Sequence, residues 1–139
     1  MMDKYLIGTK KQGCLIDNKN KIITYYEMLS LAEKLSGKQN KHTILFQDIE
    51  KIKISYNIVN GVRYGTTSLI LIIYCMNNQK YEVPILYFNT TKEEVKQFLN
   101  ILNDSSLCIQ DQFSLIDKIM NSSKTIGVII GELDQSLKA

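Results

Sequence analysis

His42 is the only histidine in the chain, and it follows Lys41 in a lysine-rich stretch that reads as a solvated loop. Neither Ser, Cys nor Asp stands at a local spacing that would pair with it as nucleophile and base. Cys14, Cys75 and Cys108 are far apart and include no CxxC, so neither a zinc site nor a thioredoxin-like motif is expected. They read as reduced, small hydrophobic residues of a cytosolic protein. Asp48, Glu50, Glu82, Glu93 and Glu94 are scattered over polar faces or a helix start, where carboxylates favour the dipole. No phosphate-binding GxxxxGK[ST] or GxGxxG occurs, and Gly61 and Gly65 have the spacing of turn residues. The expectation is a protein with no catalytic residues, no metal and no cofactor. A small hydrolase or transferase is the least supported class, and a pocket placing His42 beside a carboxylate would revive it.

Charge offers a second kind of chemistry. The net charge is only +3, yet residues 1–41 hold eight Lys against four acidic residues, and residues 42–139 sum to −1. Such a cluster attracts anionic membranes or nucleic acid without specificity. Arg63 is the only Arg, so the bidentate fork that reads phosphates and base edges is scarce, and specific nucleic-acid binding is not expected. A third candidate is Ile126-Gly127-Val128-Ile129-Ile130-Gly131. Its apolar run is too short to span a bilayer. Ile126, Gly127, Ile130 and Gly131 could instead let a helix approach a neighbour closely, either its own domain or a second copy in a homo-oligomer.

These residues must be positioned by a core, and its centre is Thr67–Met76 (TSLILIIYCM). Both alternating sets, Leu69/Leu71/Ile73/Cys75 and Ile70/Ile72/Tyr74/Met76, are apolar, so the run reads as a strand covered on both faces. Lys51–Ile58 alternates cleanly and predicts a half-buried antiparallel strand. Asn60-Gly61 and Gly65 predict a hairpin connection between the two. Lys80–Phe88 returns as a strand that is at an edge or bulged at Pro84, which cannot donate to a ladder. Upstream, Tyr5–Gly8, Gly13–Asp17, Lys21–Tyr26 and Thr43–Phe46 read as short strands, with turn chemistry at Asp17–Asn20. Met28, Leu31, Ala32 and Leu35 predict a short helix over Glu27–Ser36, ended by Gly37. Thr90 or Thr91 caps a helix carrying Val95, Phe98, Leu99 and Leu102. The tail predicts two more helices, one capped by Asp111 and one by Ser122 or Ser123. The start of the chain, MMDKYLIGTKKQG, shows no secretory pattern, and a cytoplasmic protein is expected.

The order of these elements, carried by ILFQDIEKIKI (Ile44–Ile54), LILIIYCMNNQKYEVPI (Leu69–Ile85) and TKEEVKQFLNILN (Thr91–Asn103), resembles the bacterial pleckstrin-homology-like (PH-like) domains. The resemblance covers roughly residues 5–103. It implies an α+β fold: a mainly antiparallel, strongly bent sheet or barrel with a capping helix over residues 1–103. Residues 104–139 then form a helical C-terminal extension, packed on that domain or on a second copy. It implies a non-enzymatic binding or regulatory module that contacts a protein partner or anionic headgroups. In that family basic residues of the first hairpin grip phosphoinositides, and Lys11, Lys19 and Lys21 stand at comparable positions, with Lys21 in place of an Arg. The alternative is a structural subunit that assembles through its C-terminal helices.

Overall fold

The structure, a computed structural model, describes residues 3–60, 65–87 and 90–138. Four short strands come first: β1 (Lys4–Gly8), β2 (Gly13–Asp17), β3 (Ile22–Tyr26) and β4 (Lys41–Leu45). They pair in sequence order as an antiparallel meander. The β1–β2 hairpin depends on Gly8, whose φ is +82°; a Cβ there would lie 2.5 Å from the Gln12 carbonyl oxygen. At the other end of β2, the Asp17 carboxylate accepts hydrogen bonds from the Lys19 and Asn20 amides at 3.1 and 3.0 Å. These bonds, the one from Asn20 foremost, hold its carboxyl below the ordinary aspartate value. A helix of five residues, α1 (Leu31–Leu35), connects β3 to β4. It is shorter than the sequence suggests because Ser30 caps it, in a reciprocal box with Glu33.

A 3-10 turn at Phe46–Asp48 leads into the long strands β5 (Ile49–Asn60) and β6 (Gly65–Cys75), followed by β7 (Lys80–Pro84). The expected Asn60-Gly61 turn lies partly outside the described residues, but the register closes on Asn60 opposite Gly65. Pro84 ends an edge strand, as its missing N–H requires. Helix α2 (Lys92–Asn103) uses Thr91 and Glu94 as its capping box. Two residues, β8 (Ile109–Gln110), then add to β5 in parallel, so the second sheet runs β7-β6-β5-β8. Helices α3 (Leu115–Asn121) and α4 (Ile126–Lys138) complete the chain. The Asp111 carboxylate accepts from the Leu115 and Ile116 amides, both at 2.8 Å, and so caps α3. Thr125, rather than Ser122 or Ser123, accepts from the first turn of α4.

The molecule is therefore α+β, with eight strands and four helices among the described residues. The expectation of a single bent sheet or barrel needs correction. The strands hydrogen-bond as two separate four-stranded sheets, with no ladder joining β4 to β5. The physical reason is the 3-10 turn between them, which breaks the pairing and turns the chain. One apolar core joins both sheets and α2, α3 and α4. Helix α2 packs on β1 and β2, and its Val95, Phe98, Leu99 and Leu102 are fully buried.

The tail also sits differently from expectation. The doubly apolar sequence of the central strand predicts a covering layer on each face. Instead, Phe113 packs edge-on against Tyr56, with ring centroids 5.5 Å apart, and the Tyr56 hydroxyl donates to Asp134 at 3.1 Å. A Cβ on Gly127 would lie 3.4 Å from Thr67 Oγ1. Tyr56 shares a face with Ile52 and Ile54, and Thr67 shares one with Leu69 and Leu71. The tail thus extends the cover along the same inner face, over the part of the long strands that the first sheet does not reach. Ile70, Ile72 and Tyr74, on the other face, stay half-buried. Lysine stems flank them: Lys53 pairs opposite Ile72, and the Lys51 ammonium lies 5.1 Å from the Tyr74 ring centre. Lys92, at the start of α2, donates to the carbonyls of Ser122 and Lys124 and fastens the α3–α4 turn.

Candidate functional site

Lys11, Lys19 and Lys21 do not form one site. Lys11 lies in the β1–β2 turn, whereas Lys19 and Lys21 lie in the β2–β3 turn. Consecutive turns of an antiparallel meander fall at opposite ends of the sheet. The five residues of β2 separate them by roughly 17 Å at about 3.4 Å per residue. The headgroup grip implied by the resemblance is therefore not assembled from these three side chains.

His42 is not in a solvated loop. It is the second residue of β4, directly opposite Tyr25 of β3. Its ring stacks on Tyr25 at 5.6 Å between centroids and meets Tyr81 of β7 at 5.8 Å. The imidazole therefore bridges the two sheets. Its Nε2 is 2.8 Å from Oε2 of Glu27, at the end of β3. Glu27 also faces Lys38 at 3.4 Å, and Lys38 reaches Glu33 at 2.7 Å. For such an imidazole to serve as a general base it would need a nucleophile within hydrogen-bond reach. Among the described residues, however, no hydroxyl or thiol hydrogen-bonds to it. The thiol nearest in the ladder is Cys14, opposite Tyr25, and burial pushes it up to about 12, so it is no thiolate at neutral pH. The sequence hides this cluster because Glu27 and His42 lie fifteen residues apart and meet only through the β3–β4 register.

The hydrogen bond with His42 holds the Glu27 carboxyl below its ordinary value of 4.5; burial opposes this, and the Lys38 ammonium adds to the lowering. A depressed folded-state pKa stabilises above the unfolded value and is lost as pH falls through the folded one. We expect the melting temperature of wild type to fall on acidification below about 4.5, and less steeply in Glu27→Gln. Asp17, Glu33 and Asp134 are depressed too, so the difference between the two proteins is the readout. Parallel melting-temperature curves across that range would show that the Glu27–His42 pair contributes nothing.

Beside this cluster lies the feature that sequence reading missed. Met28, Leu31 and Leu35 are 69%, 73% and 79% exposed, and no residue of α1 is buried. Their spacing suggests a helix packed on a core, but none of the described residues covers them. The segment is nonetheless well held. Ser30 and Glu33 cap it, Lys38 bridges Glu33 and Glu27, and Asn40 donates its side-chain amide to the Lys10 carbonyl at 3.0 Å. Between this connection and the β1–β2 turn runs a groove of ≈ 440 Å³, lined by Thr9, Lys11 and Gln12 on one side and Met28, Lys34 and Lys38 on the other.

The two glycines of the Gly127–Gly131 motif have different surroundings. Ile126 and Ile130 are buried in the core, Gly127 faces Thr67, and a Cβ on Gly131 would meet nothing within 4 Å. Among the described residues, no group of three His, Cys, Asp or Glu side chains is placed to share a metal ion. None of the described helices is long and apolar enough to cross a membrane. No protein-family model matches the sequence, and neither a curated protein nor a solved structure is significantly similar to it.

Proposed function

We propose that the chain is a non-enzymatic binding module with the PH-like arrangement of strands, and that it makes its contact through the face formed by α1 and the β1–β2 turn. The succession of a four-strand meander, three further antiparallel strands and a helix laid on the first hairpin supports the PH-like reading. The observation that carries the function is the uncovered apolar face Met28/Leu31/Leu35 on a segment fixed by caps and ion pairs. A well-packed chain leaves such a cluster outside when something else covers it. The alternative, assembly through the C-terminal helices, has less to draw on, because Ile126, Ile129, Ile130 and Leu133 are already buried in their own chain.

A photo-crosslinking residue placed at Leu31, in cells of the source organism, tests the reading, with Val128 of α4 as the exposed control position. A discrete adduct at position 31 and none at 128 is the expected result. Equal, diffuse labelling at both positions would remove the reading.

A further inference from the structure

We propose that two copies of this chain join along the free edge of β7, antiparallel about Tyr81, so that Lys80 of each stands opposite Glu82 of the other and the two second sheets become one. β7 is the outermost strand of its sheet, and among the described residues it pairs only with β6. The hydrogen-bond phase of that pairing is fixed at both ends. The Cys75 amide donates to the Gln79 carbonyl at 2.8 Å, and the Ile85 amide donates to the Leu69 carbonyl at 2.9 Å. Bonded pairs in an antiparallel ladder recur at every second residue. Tyr81 and Val83 therefore turn their N–H and C=O toward β6, and Lys80 and Glu82 turn theirs to the free edge. Pro84 turns a carbonyl outward and has no N–H to offer.

These directions select the register for pairing with a copy. Residues turned to the edge must stand opposite residues turned to the edge. Centred on Glu82, the pairing sets like charges face to face and asks Pro84 for the N–H that it lacks. Centred on Lys80, it sets that lysine against itself. Centred on Val83, it spends Glu82 on Pro84. Centred on Tyr81, Lys80 of each copy exchanges both backbone bonds with Glu82 of the other. Pro84 then falls opposite Asn78, beyond the start of the facing strand.

The side chains agree with the backbone. Lys80 and Glu82 are exposed, share the outer face of the sheet, and lie 3.5 Å apart within one chain. Across the two-fold axis each gains an opposite charge, and symmetry repeats the gain. Tyr81, half-buried on the inner face, meets Tyr81 of the copy as a cross-strand aromatic pair. Many proteins guard such an edge with a lone lysine or a proline. Here the proline stands at the end of the strand, and a glutamate answers the lysine. β4, an edge of the first sheet, shows the contrast. The Glu27 amide donates to the Asn40 carbonyl and the Phe46 amide to the Lys21 carbonyl, so Lys41, Thr43 and Leu45 turn outward with no acid among them. Because the ion pairs at β7 are exposed, the association is concentration-dependent and weakened by salt.

The test is sedimentation equilibrium of the full chain across about a hundredfold range of concentration. Wild type is expected to pass from monomer to dimer. Lys80→Glu and Glu82→Lys each place like charges opposite one another on both sides of the axis, and each should weaken association about tenfold or more. Mixed in equal amounts, the two variants restore opposite charges throughout and should form a heterodimer, although both keep a net positive charge. Glu82→Pro should abolish the dimer, because the N–H that it removes faces the edge and not β6. The altered side chains are exposed, so an unchanged melting temperature at low concentration verifies folding. Wild type that stays monomeric throughout would overturn the proposal, as would a dimer indifferent to charge reversal. Single variants that fail to associate on mixing, or a dimer that Glu82→Pro leaves intact, would overturn it too.

Discussion

A chain ending at Asn103 is expected to lose cooperative folding or solubility. Leu115, Ile119, Ile126, Ile129, Ile130 and Leu133 are buried on the inner face of the long strands and on α2. Burying each such side chain contributes about 1.5–3 kcal/mol. Releasing the tail recovers chain entropy, which offsets part of that loss. It does not repair the face left behind, where Tyr56, Thr67 and Ile101 would meet water beside the ends of β5 and β6. Domains of this size have only about 5–15 kcal/mol of net stability. Size-exclusion chromatography should show aggregation, or a thermal melt should show a broadened, lowered transition. A monodisperse truncated protein with the melting temperature of wild type would show that the tail is dispensable to the fold.

Leu71→Ala should cost about 2–5 kcal/mol. Leu71 is fully buried at the middle of β6, paired with Ile54 on one side and Val83 on the other. Neighbours fixed on both flanks cannot collapse into the vacancy, which keeps the cost in the upper part of the range. The adjacent Ile72 points to the other face and is half-buried, so Ile72→Ala should cost much less. Urea melts should show a large fall in midpoint for the first variant and a small one for the second, at similar slopes. Equal costs would mean that both faces of β6 are covered alike, against the one-sided arrangement described above.

The long strands, α2 and both tail helices were legible because their signals are local. Lys51–Ile58 alternates, Thr91 and Glu94 sit three apart, and Asp111 stands just ahead of an apolar stripe. What was not legible depends on pairs distant in sequence. The apolar run of β6 implied two covered faces, but periodicity does not reveal on which face a remote helix will land. The lysines of the first hairpins looked like one cluster by count and became two ends of a sheet by topology. The stripe Met28/Leu31/Leu35 carries the same pattern as a core helix, and only the fold shows that the core lies elsewhere.

The smallest strand, β8, makes a long-range pairing in the second sheet. The two meanders join neighbours in sequence, so their pairing closes short loops quickly. β8 instead reaches back to β5 across more than fifty residues, and the Ile52 amide finds its acceptor on Cys108 at 2.8 Å. That amide is satisfied only once the tail has docked. Its solvent exchange is expected to report release of the tail, a local event distinct from global unfolding. While the tail is away, β5 presents an open edge to any passing strand. A two-residue strand thus closes the edge of β5 in the docked chain.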